Sequence, residues 1–314
     1  MQKIVVTWDM EGSFIESLGK ELYGEDVAIV QAGKEKAAIY GEISDANIIL
    51  AGLADRDIME RAPGLKFVQA LTSSVGRIDL RYAASRGISV SSAKGHNANT
   101  VAEHVLMLML MLSRKAGYSP MPDPSEVEEL AGKTVCAIGV GHIGRHVGKK
   151  CYALGMKVVG IDADPKPSEF FETVEPPGRL KDVLPEADYL TIHVPKTPET
   201  TGLINSELLG HAKPSLYVVD VSRGGVTDVS SLYDALKKGA VRGAAMDVFP
   251  DVFYPHDTPA RHPIFGQENF IYTSHNAGKS RESRQALVSF VANNVRSYLL
   301  GGKIVNEVNP DVGY

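Results

Sequence analysis

Apolar and polar positions alternate along this chain in short blocks. Brief runs rich in β-branched and apolar residues, such as KIVVTW (3–8), DVAIVQ (26–31), ANIILAG (46–52), LKFVQAL (65–71) and GISVSS (87–92), predict buried strands. Charged segments of helical character separate them, among them GSFIESLGKELYG (12–24) and KEKAAIYGEI (34–43). Strands spaced by helices predict βα units in a parallel sheet covered on both faces. The pattern then breaks at NTVAEHVLMLMLMLSRK (99–115), a nearly all-apolar helix that a neighbouring domain or subunit must bury. GYSPMPDPSEVEEL (117–130), with three prolines, is expected to be a connection.

Beyond it the alternation restarts with TVCAIG (134–139), KVVGID (157–162), DYLTIHV (188–194), LYVVDV (216–221), VRGAAMDV (241–248) and NFIYTS (269–274). The expected architecture is therefore α/β, with two doubly wound parallel-sheet domains. An amphipathic helix over 280–302 closes the pattern and should dock on something; it could return to the first domain. The boundaries placed on this reading are 1–98 with 281–314 for one domain and 99–280 for the other.

Length agrees with two domains, since 314 residues allow roughly two units of ~150. The net charge of −5 and the absence of a basic stripe argue against nucleic acid as a partner. No apolar stretch is long enough to span a bilayer, and only Cys136 and Cys151 occur, too few for a disulfide framework. A soluble, cytoplasmic protein is expected.

The strongest single motif is GVGHIG. Gly139, Gly141 and Gly144 follow a strand directly and open a helix. The first glycine permits a tight turn, the second lets a pyrophosphate approach the backbone, and the third allows close packing of helix on strand. A lone glycine triplet is weak, but here a second strand ends in Asp162, 18 residues after Gly144. A carboxylate at that distance meets the adenosine ribose. Asp164 adds charge that would repel a 2′-phosphate, so the expected cofactor is NAD.

Three further residues fall at strand ends of the same domain: Arg223 in VSRGG, Asp247 in AAMDVF and His275 in TSHNAG. An arginine is costly where a strand leaves a core, which raises the question of its partner. Hydride transfer to a carbonyl needs a proton donor and a cation that holds the substrate, and His275 and Arg223 could meet those needs. Plain alternatives are a snorkelling Arg223, a loop His275 and an Asp247 that caps a turn. His104, His142 and His193 are read as structural, and no metal-ligating cluster is visible.

Together, RGISVSSAKGHNANTVAEH, GVGHIG, HVPKTPETTGLI, VVDVSRGG, GAAMDVF and TSHNAG resemble the D-isomer-specific 2-hydroxyacid dehydrogenases over nearly the whole chain. The resemblance implies a flavodoxin-like substrate domain beside a Rossmann NAD-binding domain, closing on a cleft, and a homodimer. It implies an NAD-dependent oxidoreductase acting on a small 2-hydroxy or 2-keto acid, with Arg223 binding substrate and His275 as acid/base. Asp247 would meet the nicotinamide amide, while Val194, Pro195 and Thr200 would lie near the adenosine half. His142, Ile143, Val221, Ser222, Arg223, His275, Ala277 and Gly278 complete the implied cofactor surface. The backbone of Ser74, Val75 and Gly76 would cradle the substrate carboxylate. An NAD-responsive binding or regulatory protein on the same fold is the alternative.

The likeness departs in one place that matters for the chemistry. The acid usually paired with the histidine is replaced by Val252, and counting back from His262 puts His256 there instead. Asp251 and Asp257 each lie one residue away. Without a full-strength partner, reduction should be favoured on the acidic side of neutrality. Ser74 and Ser274 also stand where glycine and proline are usual.

Overall fold

The computed structural model describes residues 1–116, 123–250 and 261–310. The chain divides into two compact units, Met1–Asn97 with Ser280–Tyr314, and Ala98–Lys279. In the first, strands β1 (Gln2–Val6), β2 (Val27–Gln31), β3 (Ile48–Ala51), β4 (Phe67–Ala70) and β5 (Ser89–Ser91) alternate with helices. These are α1 (Gly12–Glu21), α2 (Lys36–Glu42), α3 (Arg56–Glu60) and α4 (Leu80–Ser85). The all-parallel sheet has the order β2-β1-β3-β4-β5, which is the flavodoxin-like winding.

Strand alternation feeds two cores in this unit. Ile4 and Val6 enter one face of the sheet and Val5 the other; Ile48 and Leu50 share the first and Ile49 the second. The last helix, α10 (Arg281–Leu299), lies in this unit, with Val288, Val291 and Val295 in the same core as Phe14 and Leu18 of α1. Buried Asn294 fixes it further, donating to Gln69 Oε1 at 2.8 Å and to the Val305 carbonyl at 3.0 Å.

The second unit opens with α5 (Ala98–Arg114) and continues through β6 (Thr134–Ile138), α6 (His142–Ala153), β7 (Lys157–Ile161) and β8 (Thr173–Glu175). Then come α7 (Leu180–Val183), β9 (Tyr189–Ile192), α8 (Ser206–Leu209), β10 (Tyr217–Asp220), α9 (Val229–Lys237), β11 (Gly243–Met246) and β12 (Phe270–Tyr272). Its seven parallel strands are ordered β12-β11-β10-β9-β6-β7-β8, so the winding reverses between β6 and β9. A Rossmann sheet places its ligand crevice at that reversal, outside the carboxyl ends of the strands. Strand β8 was not anticipated. Its TVE sequence is short and half-exposed, so it carries no apolar run to announce it.

Helix α5 is only partly covered within its own unit. Val101, Ala102, Val105, Leu108, Met109 and Leu112 are buried, whereas Met107 and Leu110 are about two-fifths exposed (40% and 41%).

Candidate active site

The register of the second sheet brings the candidate residues to one level. Tyr272, Met246, Asp220, Ile192, Ile138 and Ile161 are successive register partners across six strands. The residues that follow them are Thr273, Asp247, Val221, His193, Gly139 and Asp162. A single row of strand ends therefore carries the glycine loop, Asp162, the Arg223 turn, Asp247 and the His275 turn.

At the β6–α6 turn Gly139 has φ +91°, a conformation that side chains resist. A Cβ on Gly144 would lie 2.0 Å from the Gly139 carbonyl oxygen, so the helix packs on the turn as closely as backbone allows. A Cβ on Gly141 would meet nothing within 4 Å, leaving open space above the second glycine. Gly141 is also the N-cap of α6 and provides no side-chain cap, and no acid stands in the first turn. This cradle fits a pyrophosphate, whose charge the helix N-terminus favours.

Asp162 closes the turn from β7, its Oδ2 accepting from Val140 N at 2.7 Å and its Oδ1 from Asp164 N at 3.0 Å. Carboxylate oxygens have further lone pairs, so both remain able to accept from ribose hydroxyls. Asp164 differs from expectation. It stands at the surface in an exposed ion pair with Lys166, whereas Asp162 is bound into the turn itself.

His193 packs beside the glycine loop, with Cδ2 3.7 Å from the position of a Cβ on Gly144. Its Nε2 is 3.0 Å from Thr191 Oγ1, while the buried Nδ1 finds no hydrogen-bond partner among the described residues. Burial pushes this imidazole down from 6.5 to about 3. The folded state thus holds the neutral ring, and its contribution is complete above the unfolded value and erodes as pH falls below it. Linkage puts the loss at about 2 kcal/mol near pH ~5. Urea unfolding of wild type and His193→Gln at pH ~7 and ~5 should show their stability difference shifting by that amount in favour of the variant. The same difference at both pH values would show that His193 does not titrate this way.

The Arg223 question has an answer in β10. Arg223 is half-buried, which lowers its pKa, while the charge of Asp220 raises it. Asp220 is fully buried directly before the turn. Its Oδ1 accepts from Ser222 N at 2.8 Å and from Ser222 Oγ at 2.5 Å, and its Oδ2 from Thr227 Oγ1 at 2.6 Å. Burial pushes the Asp220 carboxyl up, opposed by these bonds and by Arg223. Arg223 Nη1 donates to the Ser222 carbonyl at 2.6 Å. Sequence reasoning passed over Asp220; the available clue was an acid three positions before an arginine at a strand end.

Asp247, only 2% exposed, organises the β12 turn. Its Oδ1 accepts from Thr273 Oγ1 at 2.6 Å and Asn276 N at 3.0 Å, and its Oδ2 from Ala277 N at 3.0 Å. Its carbonyl accepts from His275 N at 2.9 Å, and His275 takes φ +48°. Asp247 therefore holds the turn that presents His275, a role beyond the expected contact with a carboxamide.

Other expected positions divide by what they can offer. Val221 and Ala277 are core residues, so only their backbone can face a ligand. Val194 lies against the glycine turn, 3.1 Å from the position of a Cβ on Gly139. Thr200 Oγ1 donates to the Pro195 carbonyl at 2.6 Å and closes that loop on itself. His142 and Ile143 form the first turn of α6, Ser222 lies in the Arg223 turn, and Gly278 ends the His275 turn. In the first unit, Ser74 and Gly76 are exposed and Val75 is buried after β4, with Thr72 Oγ1 donating to the Ser74 carbonyl at 2.7 Å. Asp251, Val252, His256 and Asp257 lie outside the described residues.

Comparison with known proteins places this geometry in a family. Residues 107–277 match the NAD binding domain of the D-isomer specific 2-hydroxyacid dehydrogenases. The chain is 32% identical over 322 residues to a D-3-phosphoglycerate dehydrogenase of Methanocaldococcus jannaschii, covering 98% of this chain and 60% of the relative. It thus spans under two thirds of the length of that relative. It is 32% identical over 288 residues to a glyoxylate reductase of Thermofilum pendens, covering 86% of this chain and 83% of the relative. A solved structure of the TT0316 protein from Thermus thermophilus superposes with a TM-score of 0.80 at 28% identity, covering 98% of this chain and all of the other. The chain belongs to the D-isomer specific 2-hydroxyacid dehydrogenase family, and its second unit carries that family's NAD-binding domain.

Proposed function

We propose that this chain is an NAD-dependent dehydrogenase that reduces a small 2-keto acid to the D-2-hydroxy acid and catalyses the reverse. The observation that carries the reading is the single row of strand ends, where a dinucleotide cradle continues into turns presenting Arg223, Asp247 and His275. When bound, the nicotinamide supplies or receives the hydride. Gly139, Gly141 and Gly144 would hold the pyrophosphate, with His142 and Ile143 beside them in the first turn of α6, and Asp162 the ribose, with Val194, Pro195 and Thr200 near the adenosine half. Arg223 binds the carboxylate and polarises the neighbouring carbonyl with its planar fork. His275 gives a proton to the carbonyl oxygen in reduction and takes it back in oxidation, which balances the hydride. The unit of Met1–Asn97 and Ser280–Tyr314 is taken as the substrate domain, and the backbone of Ser74, Val75 and Gly76 as its carboxylate-binding loop. The regulatory reading is not favoured, because the relatives are named as dehydrogenases and reductases.

A panel of 2-keto acids with NADH tests the activity, and no turnover with any of them would refute it. NADH should exceed NADPH in kcat/KM by at least about tenfold, because Asp162 repels a 2′-phosphate. Equal use of NADPH would overturn that preference. A homodimer through α5 is part of the same reading: Met107 and Leu110, one turn apart, form an exposed apolar stripe. A cytoplasmic location accords with Cys136 and Cys151, which are both free thiols buried in the core. No described helix is long and apolar enough to cross a membrane.

A further inference from the structure

We propose that His104, on α5, is a positioning residue for the nicotinamide end of the site: it fixes the Thr273 hydroxyl against Asp247, and through Asp247 the turn that carries His275. The proposal rests on the dehydrogenase reading above. His104 follows Glu103 at the head of the apolar run of α5, and it is 13% exposed. Its Nε2 lies 2.9 Å from Thr273 Oγ1 and 3.6 Å from Asp247 Oδ1.

Proton counting sets the direction of this chain. The Thr273 hydroxyl has one proton, and it is donated to Asp247 Oδ1 at 2.6 Å. The hydroxyl oxygen is then left to accept from His104, so Nε2 carries a proton. Burial lowers the pKa of His104 and Asp247 opposes that shift. The neutral ring protonated on Nε2 meets the requirement.

The turn needs holding. His275 at φ +48° sits in the left-handed region, which a non-glycine residue adopts only against steric cost. Asp247 supplies acceptors for the N–H groups of His275, Asn276 and Ala277. Thr273 links that carboxylate to His104, and His104 links it to a 17-residue helix. Were His104 only filling the core, its loss would lower stability and leave the two halves of the cofactor equally well bound.

The test measures binding rather than turnover, using NADH by fluorescence titration and ADP-ribose by calorimetry on the full chain. His104→Leu should weaken NADH binding about five- to tenfold while ADP-ribose affinity stays within about twofold. His104→Gln, which restores an N–H near the Nε2 position, should return NADH affinity to within about twofold of wild type. Thr273→Val should repeat the His104→Leu loss, and the double variant should be no worse than either single one. The proposal is overturned if His104→Leu leaves NADH binding intact, weakens both ligands alike, or behaves no differently from His104→Gln. Should His104→Leu fail to fold, Thr273→Val decides the matter: an unchanged ratio of the two affinities overturns the proposal. Wild type that binds NADH yet reduces no keto acid would refute the dehydrogenase reading alone.

Discussion

Arg223→Ala is expected to lower kcat/KM for keto-acid reduction by at least about a hundredfold, while NADH binding changes little. On the proposed reading the guanidinium makes a charge-assisted, two-pronged contact with substrate, and such contacts rank among the stronger hydrogen bonds. Arg223→Lys keeps the charge and loses the fork, so it should recover only part of the activity. The variant also isolates Asp220. With Arg223 gone, the buried carboxylate loses the charge that opposes its burial, and an uncompensated buried charge destabilises the fold. Adding Asp220→Asn to Arg223→Ala should therefore regain stability, read as a higher urea midpoint, without regaining activity. Near wild-type turnover by Arg223→Ala would reduce Arg223 to a structural residue.

His275→Asn should lose about a hundredfold to ten-thousandfold in kcat, the usual contribution of a positioned general acid. Asparagine suits the test because it tolerates the left-handed backbone that residue 275 adopts at φ +48°. Affinity for NADH should stay within a few fold, since the Asp247 bonds to the turn are made by backbone N–H groups at 275, 276 and 277. A variant that retained kcat would show that the proton comes from another group. A variant that lost NADH binding and kcat together would show that the ring serves the cofactor site.

Much of the site was legible in the chain because its elements are local. The GVGHIG turn joins a strand to a helix in six residues, and within it Gly139 takes a left-handed φ while Gly144 packs on the Gly139 carbonyl. Arg223, Asp247 and His275 could be marked because each lies within three residues of the end of a recognisable strand. Asp220 and His104 could not be read the same way. A buried acid within YVVD and a histidine within an apolar helix look like imperfections in a pattern until their partners are known. Those partners are Ser222, Thr227 and the charge of Arg223 for the first, all within seven positions and so open to a closer reading of the turn, and Thr273, 169 positions away, for the second.

The sequence by itself determined the alternation of strands and helices, the two sheets and the dinucleotide turn. Those follow from side-chain periodicity and backbone freedom, which act over a few residues. Only the tertiary structure decided how the charges are used. Asp247 spends its lone pairs on Thr273, Asn276 and Ala277 of another strand's turn, and His104 of α5 meets that same Thr273. The physical reason is that strand register aligns residues from six separate segments at one level. Burial and electrostatic pairing depend on that alignment, and spacing along the chain does not encode it.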